Sequence, residues 1–112
     1  MIIEFKDLHT WRMCNDEKAL KKFIGLDNVS LKQIRKKLDA LLAFQNLGEV
    51  PKIPPYRLHS LFKDYAGCFA VDINGKYRLI IAPVWPREIA KSEDNFKYVT
   101  EIVIREVVNY HD

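Results

Sequence analysis

Cysteine is scarce in this sequence, with only Cys14 and Cys68, 54 positions apart. Two thiols so spaced make neither a CxxC pair nor a disulfide framework, so both are expected to act as small buried hydrophobes in a reducing, cytoplasmic setting. Histidine is equally sparse. His9, His59 and His111 form no HExxH motif and no Cys/His cluster, which leaves no metal and no cofactor to expect. Long apolar runs are missing too: the longest, Leu79 to Trp85, is seven residues and contains Pro83, against the roughly 20 that cross a bilayer. The opening Met1-Ile2-Ile3-Glu4-Phe5-Lys6 lacks a basic segment followed by an apolar stretch, so neither a membrane partner nor a secretory signal is expected.

What is present is ordinary globular composition, 48% apolar and 29% charged, with no internal repeat and no biased segment. That excludes a disordered or fibrous chain, and 112 residues are expected to fold as one domain spanning 1–112. The net charge of +3 would not by itself nominate a nucleic-acid binder, but it is unevenly spread. Residues 1–50 carry nine positive and seven negative side chains, residues 51–82 five and two, and residues 83–112 four and six. The middle segment sets Lys52, Arg57, Lys63, Lys76 and Arg78 against Asp64 and Asp72. It reads either as a solvated sheet edge or as a surface facing a polyanion.

Apolar residues alternate over Ile2 to Phe5, the signature of a strand. Asp7 or Thr10 is placed to cap a short helical stretch that reaches Phe23-Ile24 and breaks at Gly25. A second helix has the clearest signal. Ser30-Leu31-Lys32-Gln33 is a capping box, Leu31, Ile34, Leu38, Leu41 and Leu42 recur at helical spacing, and the pattern fades near Asn46-Leu47-Gly48. Pro51, Pro54 and Pro55 then forbid a helix and mark a connector.

From Tyr56 onward the texture is that of strands: Tyr56 to Phe62, Cys68 to Ile73, Lys76 to Ala82, and a last one from Tyr98 to about Tyr110. Asn74-Gly75 reads as a two-residue type I′ turn. Such a loop pairs Ile73 with Lys76, Val71 with Arg78 and Phe69 with Ile80. Arg78 then shares a face with Phe69, Val71 and Ile80, while Tyr77, Leu79 and Ile81 face a helix-covered core. An arginine among apolar residues is expensive unless it meets an anion or a carboxylate such as Asp72 or Asp64. Residues 83–96 read as a loop of about 14 residues. The order β-α-α-β-β-β-β predicts an α+β domain, two N-terminal helices on one face of a mainly antiparallel twisted sheet and the other face free.

A basic sheet face with an arginine, and histidines near the start of one strand and the end of another, suits phosphate chemistry. Cleaving RNA without a metal needs a base for the ribose 2′-hydroxyl, a cation for the charge building on phosphorus, and an acid for the departing 5′-oxygen. His59, Arg78, Tyr110 and His111 include each type; a histidine serves either proton-transfer role, and a tyrosine donates, orients or stacks. Each also has a structural reading: His59 as a satisfied histidine, Tyr110-His111 as a frayed end, Arg78 as half of an ion pair.

The order of these residues is more specific than any of them alone. Tyr56-Arg57-Leu58-His59-Ser60-Leu61, then Gly67, an apolar strand, a turn, Tyr77-Arg78-Leu79-Ile80 and a terminal Asn109-Tyr110-His111 resemble the toxins of the RelE/ParE superfamily, most closely the HigB-like "killer" proteins of toxin–antitoxin modules. Ile3-Glu4-Phe5-Lys6-Asp7 is similar to that family's opening strand. The resemblance covers about residues 1–82 and 97–112, and loop 83–96 is longer than expected.

It implies an mRNA interferase acting on message at the ribosome, without a cofactor. By that resemblance His59 and His111 are the acid/base candidates, Arg78 clamps the phosphate, Tyr110 stacks on or orients a base, and Arg57, Lys63, Lys76 and Asn109 contact RNA. It also implies a cognate antitoxin, of helix-turn-helix type in many such modules. Two positions depart from the pattern. Asn109 replaces an acidic residue, and an amide cannot take a proton; Phe62 stands where relatives often carry a basic residue, with Lys63 adjacent. The alternatives are a ParE-like poison of DNA gyrase and a catalytically degenerate member that only binds its antitoxin.

Overall fold

Three helices, not two, separate the first strand from the other four in a computed structural model, which describes residues 1–24 and 29–109. After β1 (Ile2–Phe5), α1 (Leu8–Asn15) starts on Asp7, whose carboxylate accepts from the amide and the hydroxyl of Thr10, each at 2.8 Å. Those two bonds hold the Asp7 carboxyl below the ordinary carboxylate range. The expected single helical stretch is interrupted at Asp16, which leaves helical geometry at φ −124° and turns its carboxylate to the amides of Lys18 and Ala19. One residue thereby ends α1 and starts α2 (Glu17–Ile24); the expected break at Gly25 lies outside the described residues.

α3 (Leu31–Ala43) begins with the predicted capping box, Gln33 N to Ser30 Oγ at 3.2 Å and Ser30 N to Gln33 Oε1 at 3.1 Å. It stops at Phe44, before the point where its periodicity fades, and Leu47–Glu49 forms a short 3-10 turn instead.

The sheet runs β1-β5-β4-β3-β2, where β2 is His59–Ser60, β3 Phe69–Asp72, β4 Tyr77–Pro83 and β5 Glu101–Asn109. β1 lies parallel to β5 and the other three pairs are antiparallel, so the α+β, mainly antiparallel expectation holds. β2 is much shorter than a strand from Tyr56 to Phe62. Arg57 and Lys63 on either side of it have φ of 49° and 56°, a left-handed geometry that a ladder does not accommodate.

The β3–β4 hairpin is offset by one residue from the predicted register. Its pairs are Asp72↔Arg78, Val71↔Leu79, Ala70↔Ile80 and Phe69↔Ile81. Asn74 Oδ1 accepts from the amides of Lys76 and Tyr77, each at 2.8 Å, and Ile73 N donates to Tyr77 O at 2.9 Å, so the turn is built around the Asn74 side chain and closes at Tyr77. A one-residue offset exchanges the faces of a strand. Phe69 and Val71 therefore join Tyr77, Leu79 and Ile81 in the helix-covered core, and Ala70 and Asp72 share the face of Arg78.

That core is closed by Leu20 of α2, by Ile34, Leu38 and Leu41 of α3, and by Ile102 and Ile104 of β5, all at most 2% exposed. Each such side chain contributes about 1.5–3 kcal/mol by leaving water. Residues 83–96 are not a free loop. β4 continues to Pro83, Trp85 stacks on Phe96 with ring centroids 5.8 Å apart, Phe96 meets Phe69 edge-on at 5.0 Å, and Glu93–Tyr98 coils into a 3-10 helix. One irregularity remains in the sheet. Ile80 pairs with Glu106 but Ile81 with Ile104, so Arg105 and Glu106 together oppose one residue of β4 and β5 carries a bulge.

Candidate functional site

Residues directly opposite in a ladder point to the same face. His59↔Ala70, Ala70↔Ile80 and Ile80↔Glu106 make one row across the sheet, and Asp72↔Arg78 and Arg78↔Val108 make the next. His59, Asp72, Arg78 and Glu106 therefore project from the face away from the helices, with Arg78 on the central strand β4.

This face is not left free as expected. Cys68, Ala70 and Ile80 form a second apolar cluster, covered by Leu61, Tyr65, Ala82 and Val108. Tyr65 comes from a short 3-10 helix, Lys63–Tyr65, and its hydroxyl donates to Glu106 Oε2. That hydrogen bond, then burial, raises the Tyr65 phenol above its ordinary range, and the positive charge of Arg78 opposes the rise.

The basic residues of the middle segment fall into different environments. Arg57 Nε donates to Asp72 Oδ2 at 2.9 Å and its Nη2 to Oδ1 at 3.4 Å, so the side chain expected on RNA is tied to the carboxylate that stands opposite Arg78. Lys52 pairs with Glu93 at 2.8 Å. Lys63 and Lys76 are exposed, the first opening the Lys63–Tyr65 turn and the second in the β3–β4 hairpin. His59 Nδ1 lies 2.6 Å from the carbonyl of Arg57; a carbonyl only accepts, so Nδ1 carries a hydrogen toward it.

Asn109 sits elsewhere. It pairs with the buried Tyr77, which places it on the helix-covered side of the sheet, across from Arg78 rather than beside it. The predicted Asn109 contact with RNA is therefore not one the Arg78 face can make. Tyr110 and His111 lie outside the described residues. The structure thus brings His59 and Arg78 onto one face with Asp72 and Arg57, flanked by exposed Lys63 and Lys76.

Two residues of this face were missed in the sequence: Tyr65 and Glu106. The signal for Glu106 was Arg105-Glu106 itself, adjacent charges that interrupt the apolar run of Ile102-Val103-Ile104 before it resumes at Val107. Such an interruption inside a strand marks a bulge. Among the described residues no group of three or more His, Cys, Asp or Glu could hold a metal ion, and no helix is long and apolar enough to cross a membrane. No protein-family model matches the chain, and no curated protein matches it.

An arginine and an imidazole on one sheet face, with lysines at its margins, can hold a phosphodiester and move a proton to or from it. The carboxylates of Asp72 and Glu106 keep the same face from being uniformly basic.

Proposed function

We propose that this protein is the toxin of a toxin–antitoxin module, similar to the HigB-like branch of the RelE/ParE superfamily. It cleaves messenger RNA at the ribosome. The observation that supports the reading is the position of Arg78 on the central strand, on the same face as His59, with Val108 of β5 paired beside it.

In this reaction the 2′-oxygen of a ribose attacks the adjacent phosphorus as a base removes its proton, and the bond to the 5′-oxygen breaks as an acid protonates it. His59 and His111 fill the base and acid roles, and Arg78 neutralises charge on the phosphoryl oxygens. Tyr110 stacks on or orients a base, and Lys63 and Lys76 screen neighbouring phosphates. A cognate antitoxin blocks the same face.

Expression with and without ribosomes present in the reaction, followed by mapping of message ends, tests this reading. Wild type should cut message, a 2′-deoxy substitution at the cut site should abolish cutting, and Arg78→Ala or His59→Gln should lower the rate at least about a hundredfold. Intact message and unaltered rates in both variants would defeat it.

A second reading is favoured by two observations: Arg57 is engaged by Asp72, and Asn109 faces the helix-covered side. Both subtract groups from the face, as in a degenerate member that only binds its antitoxin. Unimpaired growth on expression without the antitoxin would favour it; gyrase-dependent DNA breaks with intact message would instead indicate a ParE-like poison.

A further inference from the structure

Lys37 of α3 is the one charged residue among those described that is buried, at 9% exposed. Its Nζ donates to the carbonyl of Pro55 at 3.1 Å and stands 4.2 Å from the centre of the Tyr56 ring. The same side chain borders a cavity of about 320 Å³ between α3 and the segment that leads into β2. Gln33, Lys36 and Ala40 share the helical wall of that cavity, and Pro55, Tyr56 and Ile73 complete its lining.

An ammonium rarely leaves water without a counter-ion, because burial penalises its charge. No carboxylate belongs to this lining, and among the described residues neither Lys36 nor Lys37 takes part in an ion pair. Asp72 acts electrostatically on Lys37, but both its oxygens are held by Arg57, so three cations, Lys36, Lys37 and Arg57, stand against one carboxylate. Burial holds the Lys37 ammonium below the ordinary lysine range; Asp72 opposes that shift and Lys36 adds to it. The Pro55 carbonyl engages one of the three Nζ donors. Gln33 Oε1 already accepts from Ser30 N and Asn74 Nδ2, which leaves its amide nitrogen as the group it offers the cavity.

We propose that this cavity binds a small organic anion, its carboxylate or phosphate group received by Lys37 and Lys36 and its apolar body resting on Ala40, Pro55, Tyr56 and Ile73. The anion supplies the counter-ion that the burial of Lys37 calls for, at a place where little water screens the pair. A cavity of this volume is at the small end of ligand sites, which suits a single ring bearing one charged group. The site uses none of the side chains assigned to the RNA chemistry.

Titration of the ¹⁵N,¹³C-labelled full chain with benzoate and, separately, with phenyl phosphate at constant ionic strength tests the proposal. Saturable amide shifts should concentrate at Gln33 to Ala40, Tyr56 and Ile73. The Lys37 ¹³Cε resonance should titrate at higher pH in the bound protein than in the free one, because a bound anion favours the charged amine. Lys37→Met should weaken binding about tenfold or more. Lys36→Gln changes an exposed residue and should weaken binding about twofold to fivefold in a folded protein, which keeps the test decisive if Lys37→Met fails to fold. Lys32→Gln, on the same helix but outside the lining, should leave the affinity unchanged. No saturable shift, an equal response to neutral benzyl alcohol, an unmoved Lys37 titration, or equal losses in Lys32→Gln and Lys36→Gln would overturn the proposal.

Discussion

Arg57 and Asp72 face each other from β2's approach and β3's end with Nε 2.9 Å from Oδ2, and the same Asp72 stands opposite Arg78 in the ladder. One carboxylate is thus set between the arginine that precedes His59 and the arginine of the central strand. It orders the segment leading into β2 and fixes how much of the positive charge on this face reaches a ligand.

Replacing Asp72 by Asn should loosen this arrangement. The Arg57 side chain is 38% exposed and that of Asp72 19%, so solvent screens part of the interaction. A loss of about 1 kcal/mol in urea-induced unfolding is expected. Binding of a phosphodiester oligonucleotide should tighten in the same variant, since a competing acceptor is removed.

The Tyr65–Glu106 hydrogen bond makes stability depend on alkaline pH. Its partner Glu106, then burial, raises the Tyr65 phenol, and a group raised on folding adds stability that is complete below its unfolded value of about 10 and lost as pH climbs through the folded value. Wild type should therefore lose stability above about pH 10 more steeply than Tyr65→Phe. Denaturation curves of both proteins at neutral and alkaline pH check this, and parallel curves would contradict it.

Both thiols should be inert in the folded state. Cys14 and Cys68 are buried, and burial pushes the Cys14 thiol up to about 12, the nearby Arg35 charge opposing only in part. Ellman's reagent at neutral pH should react with neither until denaturant is added, and with both thereafter.

Ser30→Ala removes half of the capping box that starts α3. The expected cost is about 1 kcal/mol, and Ser30→Asp should recover most of it, since aspartate accepts the same Gln33 amide. Thermal melting of the two variants side by side is the measurement.

How much of this was legible in the sequence depends on how local the information was. The capping box at Ser30, the helix after it, the strand at Ile2 to Phe5 and the placement of Tyr77, Leu79 and Ile81 in the core all rest on residues within a few positions of one another, and all hold. Asp16 was the same kind of signal left unread, a side chain that serves its own following amides.

The hairpin register failed for a definite reason. Asn-Gly favours a two-residue turn only when both residues take left-handed geometry, whereas here the Asn74 side chain accepts two amides and draws the turn out by one position on the β4 side. The shortness of β2 follows from positive φ at Arg57 and Lys63, which no residue type at those positions announces. The order of short motifs nominated His59 and Arg78, and the fold sets the two on one sheet face; Tyr65 and Glu106 are 41 residues apart and meet only through the fold.

The β5 bulge sets two neighbours to different tasks. Both line a cavity beside the start of α1, but Glu106 also grips Tyr65 over the second apolar cluster, and between Ile104 and Val107, both in the main core, the chain spends two residues where a regular strand spends one. Deleting either residue would straighten the ladder and force the survivor to serve one surface at the expense of the other. The count of residues between Ile104 and Val107, more than their identity, is what lets a single strand carry a buried core face, a latch and a charged rim at once.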